Sequence, residues 1–356
     1  MDEVIAGLEK ALETFTPNID RIPIREGFSY DVPSDGLLEW MPAMTLGGHA
    51  TMKIVGYHPR NPSVHQLPTI LSTALTFDTD TGQLLGICDA TILTAMRTGA
   101  ASAVATRRLA APSTTILGLI GCGAQAVTQL HALNRVMDFE RVLVYDIDAS
   151  ARESFAARTA MFSPSGLSIE ATPVEHLVST ADIICTATSV GLGKGPVFSD
   201  VGLKGHVHVN AVGSDFPGKT ELPPSLLKRA LVCPDFADQA VREGECQQLQ
   251  GEDIGPDLAT LVKDADRFAF SRERETVFDS TGWALQDHVA TEIFFRFARE
   301  LDRGELIDIE IASDDPRNPY DFIGARAGFR RDTAPRPRAD GNFQVSAASA
   351  LARAAE

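Results

Sequence analysis

The sequence predicts an α/β protein of two domains, and three observations carry that expectation. From about residue 113 onward, apolar strand segments alternate with helical ones, the signature of parallel βαβ units. Upstream, strand segments follow one another, the last two as a hairpin. The chain has 356 residues, more than a single hydrophobic core usually organises.

Residues 1–16 read as an amphipathic helix with Val4, Ile5, Leu8, Leu12 and Phe15 on one stripe. Residues 36–57 read as two strands, "GLLEWMPAM" and "HATMKIVGY". Residues 69–89 read as two apolar strands joined by an Asp-Thr-Asp-Thr-Gly turn. A helix rich in small residues follows over 90–110, a composition suited to close packing. The texture changes at Ala111-Pro112-Ser113. Beyond it, strands are expected in "TTILGLI", "RVLVYDID", "ADIICTATS", "HVHVNAVGS" and "ALVCPDF". Residues 268–302 close with a strand, a glycine turn and a long amphipathic helix. Past about Asp314 the composition turns to Pro, Arg, Ala and Ser, and 322–356 is expected to be a disordered tail.

The bulk numbers exclude several classes. With 48 acidic against 32 basic residues the formal net charge is -16, which disfavours a nucleic-acid partner. Cys88, Cys122, Cys185, Cys233 and Cys246 form no CxxC pair, so neither a disulfide framework nor a metal centre is expected. No apolar run is long enough to cross a bilayer, and the acidic start does not read as a signal peptide. A cytoplasmic protein without a membrane partner is the expectation.

The sharpest local signal is "ILGLIGCGAQAVTQLHAL". It reads G-x-G-x-x-A at Gly121, Gly123 and Ala126, between an apolar strand and a helix. The first glycine allows a tight turn, the second lets a pyrophosphate approach the backbone, and the small third residue lets helix and strand pack. The helix N-terminus adds amide donors and partial positive charge. Asp146 ends the next strand 20 residues past Ala126, where an acid would bind a ribose 2′-hydroxyl and repel a 2′-phosphate. NAD is therefore expected over NADP, with Asp148 the less favoured ribose ligand. A purely structural βα turn is the plainer alternative.

A second signal is "HVHVNAVGSDFPGKTELP", residues 206–223. Asp215 stands just past the carboxyl end of an expected strand, where open α/β sheets bind ligands, with Gly213 and Gly218 around it. A turn or helix cap is the alternative use of such an acid. Glu221 reads as structural. Three bases sit in or beside apolar segments upstream: Lys53, Arg97 and Arg25, the last with Arg21 nearby. Such cations are seldom buried without a partner, which is either a ligand carboxylate or an internal acid. Glu39 is an acid inside an apolar strand, where burial raises its pKa and suits it to proton transfer or to pairing with Lys53.

The chain resembles the ornithine cyclodeaminase/mu-crystallin family over most of residues 20–310. The resemblance rests on "EWMPAM", "MKIVGYHPRNP", the segment 67–107, "LIGCGAQAVTQLHAL", "NAVGSDFPGKTELP", "EGECQQL" and "VFDSTGWALQD". "GSDFPGKTEL" and "GYHPRNP" look like the cyclodeaminase branch, nearest to lysine cyclodeaminases. The resemblance implies a Rossmann NAD-binding domain, 113–299, inserted into an α+β substrate-binding and dimerisation domain, 1–112 plus 300–321, and a homodimer. Members usually carry a strand and more of a helix ahead of the segment matching residues 1–16. Either the start codon lies upstream, or that strand is missing from the dimerisation sheet.

It also implies site roles. Arg25, Lys53 and Arg97 would grip a substrate carboxylate. Glu39, Asp215 and Lys53 would be catalytic, with Asp215 on the distal amine of a small basic amino acid. Thr98, Gly121, Gly123, Ala124, Gln125 and Asp146 would bind NAD. So would Thr186, Thr188 and Ser189 after one strand, Asn210, Val212, Gly213 and Lys219 after the next, and Ser280 beside the nicotinamide. The implied activity is redox-neutral conversion of L-lysine to L-pipecolate and ammonia. Alternatives are the same reaction on L-ornithine, an NAD(P)H-dependent imine reductase or amino-acid dehydrogenase, and a crystallin-like binding protein without turnover.

Overall fold

The computed structural model describes residues 1–320 except 18, 46–47, 308 and 310–314. The tail expected at 322–356 lies outside the described residues. Two sheets organise the chain. The first has five antiparallel strands in chain order: β1 (Glu26–Tyr30), β2 (Gly36–Met44), β3 (His49–Tyr57), β4 (Ile70–Asp78) and β5 (Leu84–Asp89). The β4–β5 turn is held by Asp78, whose Oδ1 accepts from the Asp80 and Thr81 amides at 2.9 and 2.7 Å. Alternation sends Glu39, Met41 and Ala43 of β2 and Thr51, Lys53 and Val55 of β3 to one face. The helices Thr91–Leu109 and Ala284–Glu300 pack on that face, and Asp2–Thr14 packs on both of them, in one core with Val4, Leu8, Leu12, Ala101, Val104 and Val289. Ala100, Ala101, Ala103 and Ala105 are fully buried, so the expected close packing of the small-residue helix is observed.

The second sheet is wholly parallel, in the order β8 (Ser168–Ala171), β7 (Arg141–Tyr145), β6 (Ile116–Ile120), β9 (Ile183–Thr186), β10 (His208–Ala211), β12 (Thr276–Asp279), β11 (Leu231–Pro234). The chain leaves β6 to one side for β7 and to the other for β9. The crevice between them is the switch point where such sheets bind ligands. Among the described residues, no helix is long and apolar enough to cross a membrane.

Two strands were not expected from the sequence. Both β1 and β8 are sheet-edge strands with largely exposed side chains, so neither shows the apolar alternation that marks a half-buried strand. The helix Ala284–Glu300 was assigned to the nucleotide-binding part. It packs instead on the first sheet and on the helices Asp2–Thr14 and Thr91–Leu109. We propose that the chain returns to the outer domain at Gly282 rather than near 300.

Candidate active site

A cavity of about 380 Å³ opens between the covered face of the antiparallel sheet and the carboxyl ends of the parallel strands. Arg25, Glu39, Lys53, Arg97 and Thr98 line it from the first side, and Gln125, Ser189, Val212, Asp215, Lys219 and Ser280 from the second. Eleven residues singled out from sequence thus line one cavity.

Two ion-pair clusters set its charge. Asp287 Oδ1 accepts Lys53 Nζ at 2.8 Å and forms an ion pair with Arg97 Nε at 3.0 Å, and Arg97 Nη1 donates to Gln286 Oε1 at 2.8 Å. Two cations therefore share one carboxylate, a surplus of positive charge in a dry place. Burial pulls the Lys53 ammonium down to about 8; Asp287 opposes this, and Arg97 adds to it. The second cluster is the reverse. Arg25 Nε lies 2.8 Å from Glu243 and 3.3 Å from Glu39, one cation between two carboxylates. Burial pushes Glu243 up to about 7, Arg25 opposing, and raises Glu39 as well. Arg25 also donates to the carbonyls of Thr281 at 3.1 Å and Asp215 at 2.5 Å, tying the two strand-end loops together. Glu39 stands opposite Val55 and Lys53 opposite Met41, so Glu39's ion-pair partner is Arg25 rather than Lys53.

Asp287 and Glu243 were not found from sequence. Asp287 left a signal, an acid within "WALQDHVATEIFF" on the face that carries Ala284 and Thr291. Glu243 left only its place ahead of Gly244.

Past β10, Asp215 Oδ1 accepts Lys219 Nζ at 2.8 Å. Glu221 is buried beneath and accepts four hydrogen bonds: from Thr186 Oγ1 at 2.6 Å, and from Thr188 N, Thr188 Oγ1 and Gly213 N, each at 2.7 Å. These bonds are what the structural reading of Glu221 expects. Its partners Thr186, Thr188 and Gly213, and Asn210, whose amide donates to Thr106 Oγ1 at 3.0 Å, lie behind the cavity wall. Their hydrogen bonds shape the strand ends.

The glycine turn lies beyond the wall as well, with Gly121, Gly123, Ala124 and Asp146. Gly121 has φ +96°, and a Cβ there would sit 2.5 Å from the Ala187 carbonyl; at Gly123 a Cβ would meet nothing within 4 Å. The first glycine is forced by the turn, and the second leaves open space before the helix Ala124–Leu133. Asp146 Oδ2 accepts the Cys122 amide at 2.6 Å, anchoring the strand-end acid to the turn. Gln125 Oε1 and Ser280 Oγ are buried polar atoms on the cavity wall without a protein partner, the state expected of groups that meet a ligand.

Behind Ser280, Asp279 is fully buried and accepts the Cys246 amide at 2.8 Å. Burial raises its pKa to about 7. A carboxyl with a raised folded-state pKa contributes stability that is complete below the unfolded value, about 3.9, and lost as pH rises to the folded one. The deficit of Asp279→Asn in melting temperature is therefore expected to shrink from pH 4 to pH 7. A deficit independent of pH across that window would contradict the assignment.

Proteins of similar sequence and fold bear on this site. An L-lysine cyclodeaminase of Streptomyces rapamycinicus is 46% identical over 301 residues, covering 85% of this chain and 87% of the relative. A lysine cyclodeaminase solved to explain recognition of L-lysine, L-ornithine and L-2,4-diaminobutyric acid superposes with TM-score 0.84 at 47% identity, covering 90% of this chain and 91% of the other. An archaeal alanine dehydrogenase dimer with bound NAD gives TM-score 0.79 at 31% identity, covering 87% and 95%. Residues 1–300 match the family described as ornithine cyclodeaminase/mu-crystallin. The chain belongs to the ornithine cyclodeaminase/mu-crystallin family.

Proposed function

We propose that this protein is an NAD-dependent L-lysine cyclodeaminase, an ammonia-lyase that forms L-pipecolate with its nucleotide tightly held. The observation that carries the reading is the pairing of opposite charge surpluses around one cavity. Lys53 and Arg97 outnumber Asp287, which suits an α-carboxylate. Glu39, Glu243 and Asp215, the last half-open to the cavity, outnumber Arg25 and Lys219, which suits ammonium groups. A small basic amino acid presents that combination. Its relatives and the shared fold support the choice of lysine.

NAD fits the residues present. The open space at Gly123, the amide-rich start of Ala124–Leu133, Asp146 for the ribose, and the unpartnered Gln125 and Ser280 would hold it. When bound, NAD would supply the redox chemistry, taking hydride from Cα of the amino acid and returning it to the cyclic imine. The chain's own groups do the rest. Lys53 and Arg97 hold the carboxylate and so fix Cα. Glu39, its pKa raised by burial, is suited to carry a proton to or from the α-nitrogen. Asp215 takes the proton of the side-chain amine, which then attacks Cα as ammonia departs. An extra methylene is worth about 1–3 kcal/mol in an apolar pocket, so L-ornithine is expected to react more slowly rather than not at all. Incubation with L-lysine and far less than stoichiometric NAD should release one ammonia per pipecolate without accumulating NADH. Stoichiometric NADH would make the protein a dehydrogenase.

The uncovered face of the antiparallel sheet fits a homodimer. Phe28, Ile54, Leu71, Leu85 and Ile87 point to it, 37–53% exposed, beside Trp40 and Leu75. Such a contiguous apolar face marks an interaction surface. Wild type is expected to elute at twice the 38.3 kDa chain mass, and Ile54→Lys as a monomer. A wild-type monomer would contradict this reading.

A further inference from the structure

We propose that Gln286 is a positioning residue for substrate binding: its side-chain amide aims the Arg97 guanidinium at the substrate carboxylate and braces it against the buried carboxylate of Asp235. The inference rests on the functional reading above and deepens it.

Arg97 is anchored on two sides. Its Nε pairs with Asp287 Oδ1 at 3.0 Å, and its Nη1 donates to Gln286 Oε1 at 2.8 Å. Gly282 lets the guanidinium lie against the backbone, since a Cβ there would stand 2.7 and 2.8 Å from Nη1 and Nη2. The Nη2 end is left toward the cavity, which Arg97 lines. Gln286 is buried and does not line the cavity, so it acts through Arg97 and not on the substrate. At its other end Gln286 Nε2 donates to Asp235 Oδ2 at 3.1 Å. Asp235 is buried as well, and its other donors are all neutral. Gly282 N reaches Oδ2 at 2.8 Å, and Phe236 N and Thr281 Oγ1 each reach Oδ1 at 2.9 Å, with Thr281 N at 3.3 Å.

The chemistry of the two ends fixes which way the amide points. A guanidinium only donates and a carboxylate only accepts, so the amide oxygen must face Arg97 and the nitrogen Asp235. The amide dipole then lies between a cation and an anion in the favourable sense, and each hydrogen bond strengthens the other. A hydrocarbon at this position would leave Arg97 Nη1 and one Asp235 lone pair without their partners. A carboxylate would set two acceptors face to face. Without the amide, Arg97 would keep only the Asp287 oxygen that it shares with Lys53, and ordering its long side chain would fall to the moment of binding. Asp235 also holds Thr281 and Gly282, next to Ser280. The carboxylate grip and the nicotinamide side of the cavity therefore share one buried anchor.

The test reads the dissociation constants of L-pipecolate and of cadaverine, which is L-lysine without its carboxylate, for the NAD-loaded protein. Wild type, Gln286→Met and Gln286→Glu are compared, each checked for melting temperature and bound NAD per chain. In Gln286→Met, L-pipecolate is expected to bind about tenfold or more weakly, the weight of one hydrogen bond to a charged group, with cadaverine within about twofold of wild type. In Gln286→Glu the loss should depend on pH. As pH falls, a proton comes to lie between the introduced carboxyl and Asp235, the missing donor is restored, and affinity should return toward that of wild type. The charged groups facing that pair are Arg97, with Asp287 and Lys53 beyond it, and Asp279. Gln286→Met has no proton to gain and should stay weak relative to wild type at every pH. Equal weakening of both ligands, unchanged L-pipecolate affinity in Gln286→Met, or a Gln286→Glu that follows Gln286→Met at every pH would overturn the proposal. Wild type that binds L-pipecolate but releases no ammonia from L-lysine would overturn the functional reading alone. Wild type that does not bind L-pipecolate would overturn both.

Discussion

Asp215→Asn is expected to lower kcat on L-lysine by about 10²–10⁴-fold, the range for losing a positioned acid–base group. The substitution keeps the shape of a side chain that is 43% exposed. It also keeps the backbone carbonyl that Arg25 grips. The fold, and the nucleotide held at the glycine turn, should therefore survive. What disappears is the group that accepts the side-chain proton, and an asparagine cannot take its place. The profile should read as a loss of kcat with bound NAD unchanged. Activity within about threefold of wild type would remove Asp215 from the chemistry and leave the acid as a loop anchor for Lys219.

Asp287→Asn is the second large effect, and it falls on binding. Asp287 is 4% exposed and is shared by Lys53 and Arg97. Removing one partner of a buried ion pair typically costs about 3–5 kcal/mol, so the melting temperature should drop. The more specific consequence concerns pH. Lys53 sits at about 8 with Asp287 beside it, and an opposite charge at that range is worth about 1–3 pKa units. A lysine must be charged to hold a carboxylate. In wild type, kcat/KM should therefore decline as pH rises through about 8. In the variant that decline should begin below pH 7, with about tenfold or more lost at pH 7. Asp287→Glu retains the charge and should return the limb toward its wild-type position. An unshifted limb in a folded Asp287→Asn would show that Lys53 is not the group gripping the substrate.

Much of this arrangement was legible in the sequence, and the reasons are physical. β2 and β3 were readable because one face of each is buried, and the pleat then writes an alternation into the residues. The glycine turn was readable because Gly121 must adopt a positive φ against the Ala187 carbonyl. Lys53, Arg97 and Glu39 stood out as charges in apolar segments. Their partners did not. Asp287 lies 234 residues from Lys53, and no local pattern reports a pairing made only when the last helix folds back on the first sheet. The same holds for Ala284–Glu300, whose periodicity shows an apolar stripe but not which sheet it meets. Thr186, Thr188 and Gly213 were expected from the family resemblance to touch nucleotide; only the folded loop shows Glu221 taking their donors. Strands β1 and β8 left no mark because edge strands without a buried face have no alternation to leave.

In a cyclodeaminase, oxidation and reduction occur at the same carbon within one closed turnover. L-lysine carrying deuterium at Cα tests it most directly, with NAD supplied well below stoichiometry and the product read by mass. The expected product is L-pipecolate that keeps the deuterium, with one ammonia released per molecule. Pipecolate that has exchanged the label for solvent hydrogen, or deuterium collecting in free reduced nucleotide, would contradict it.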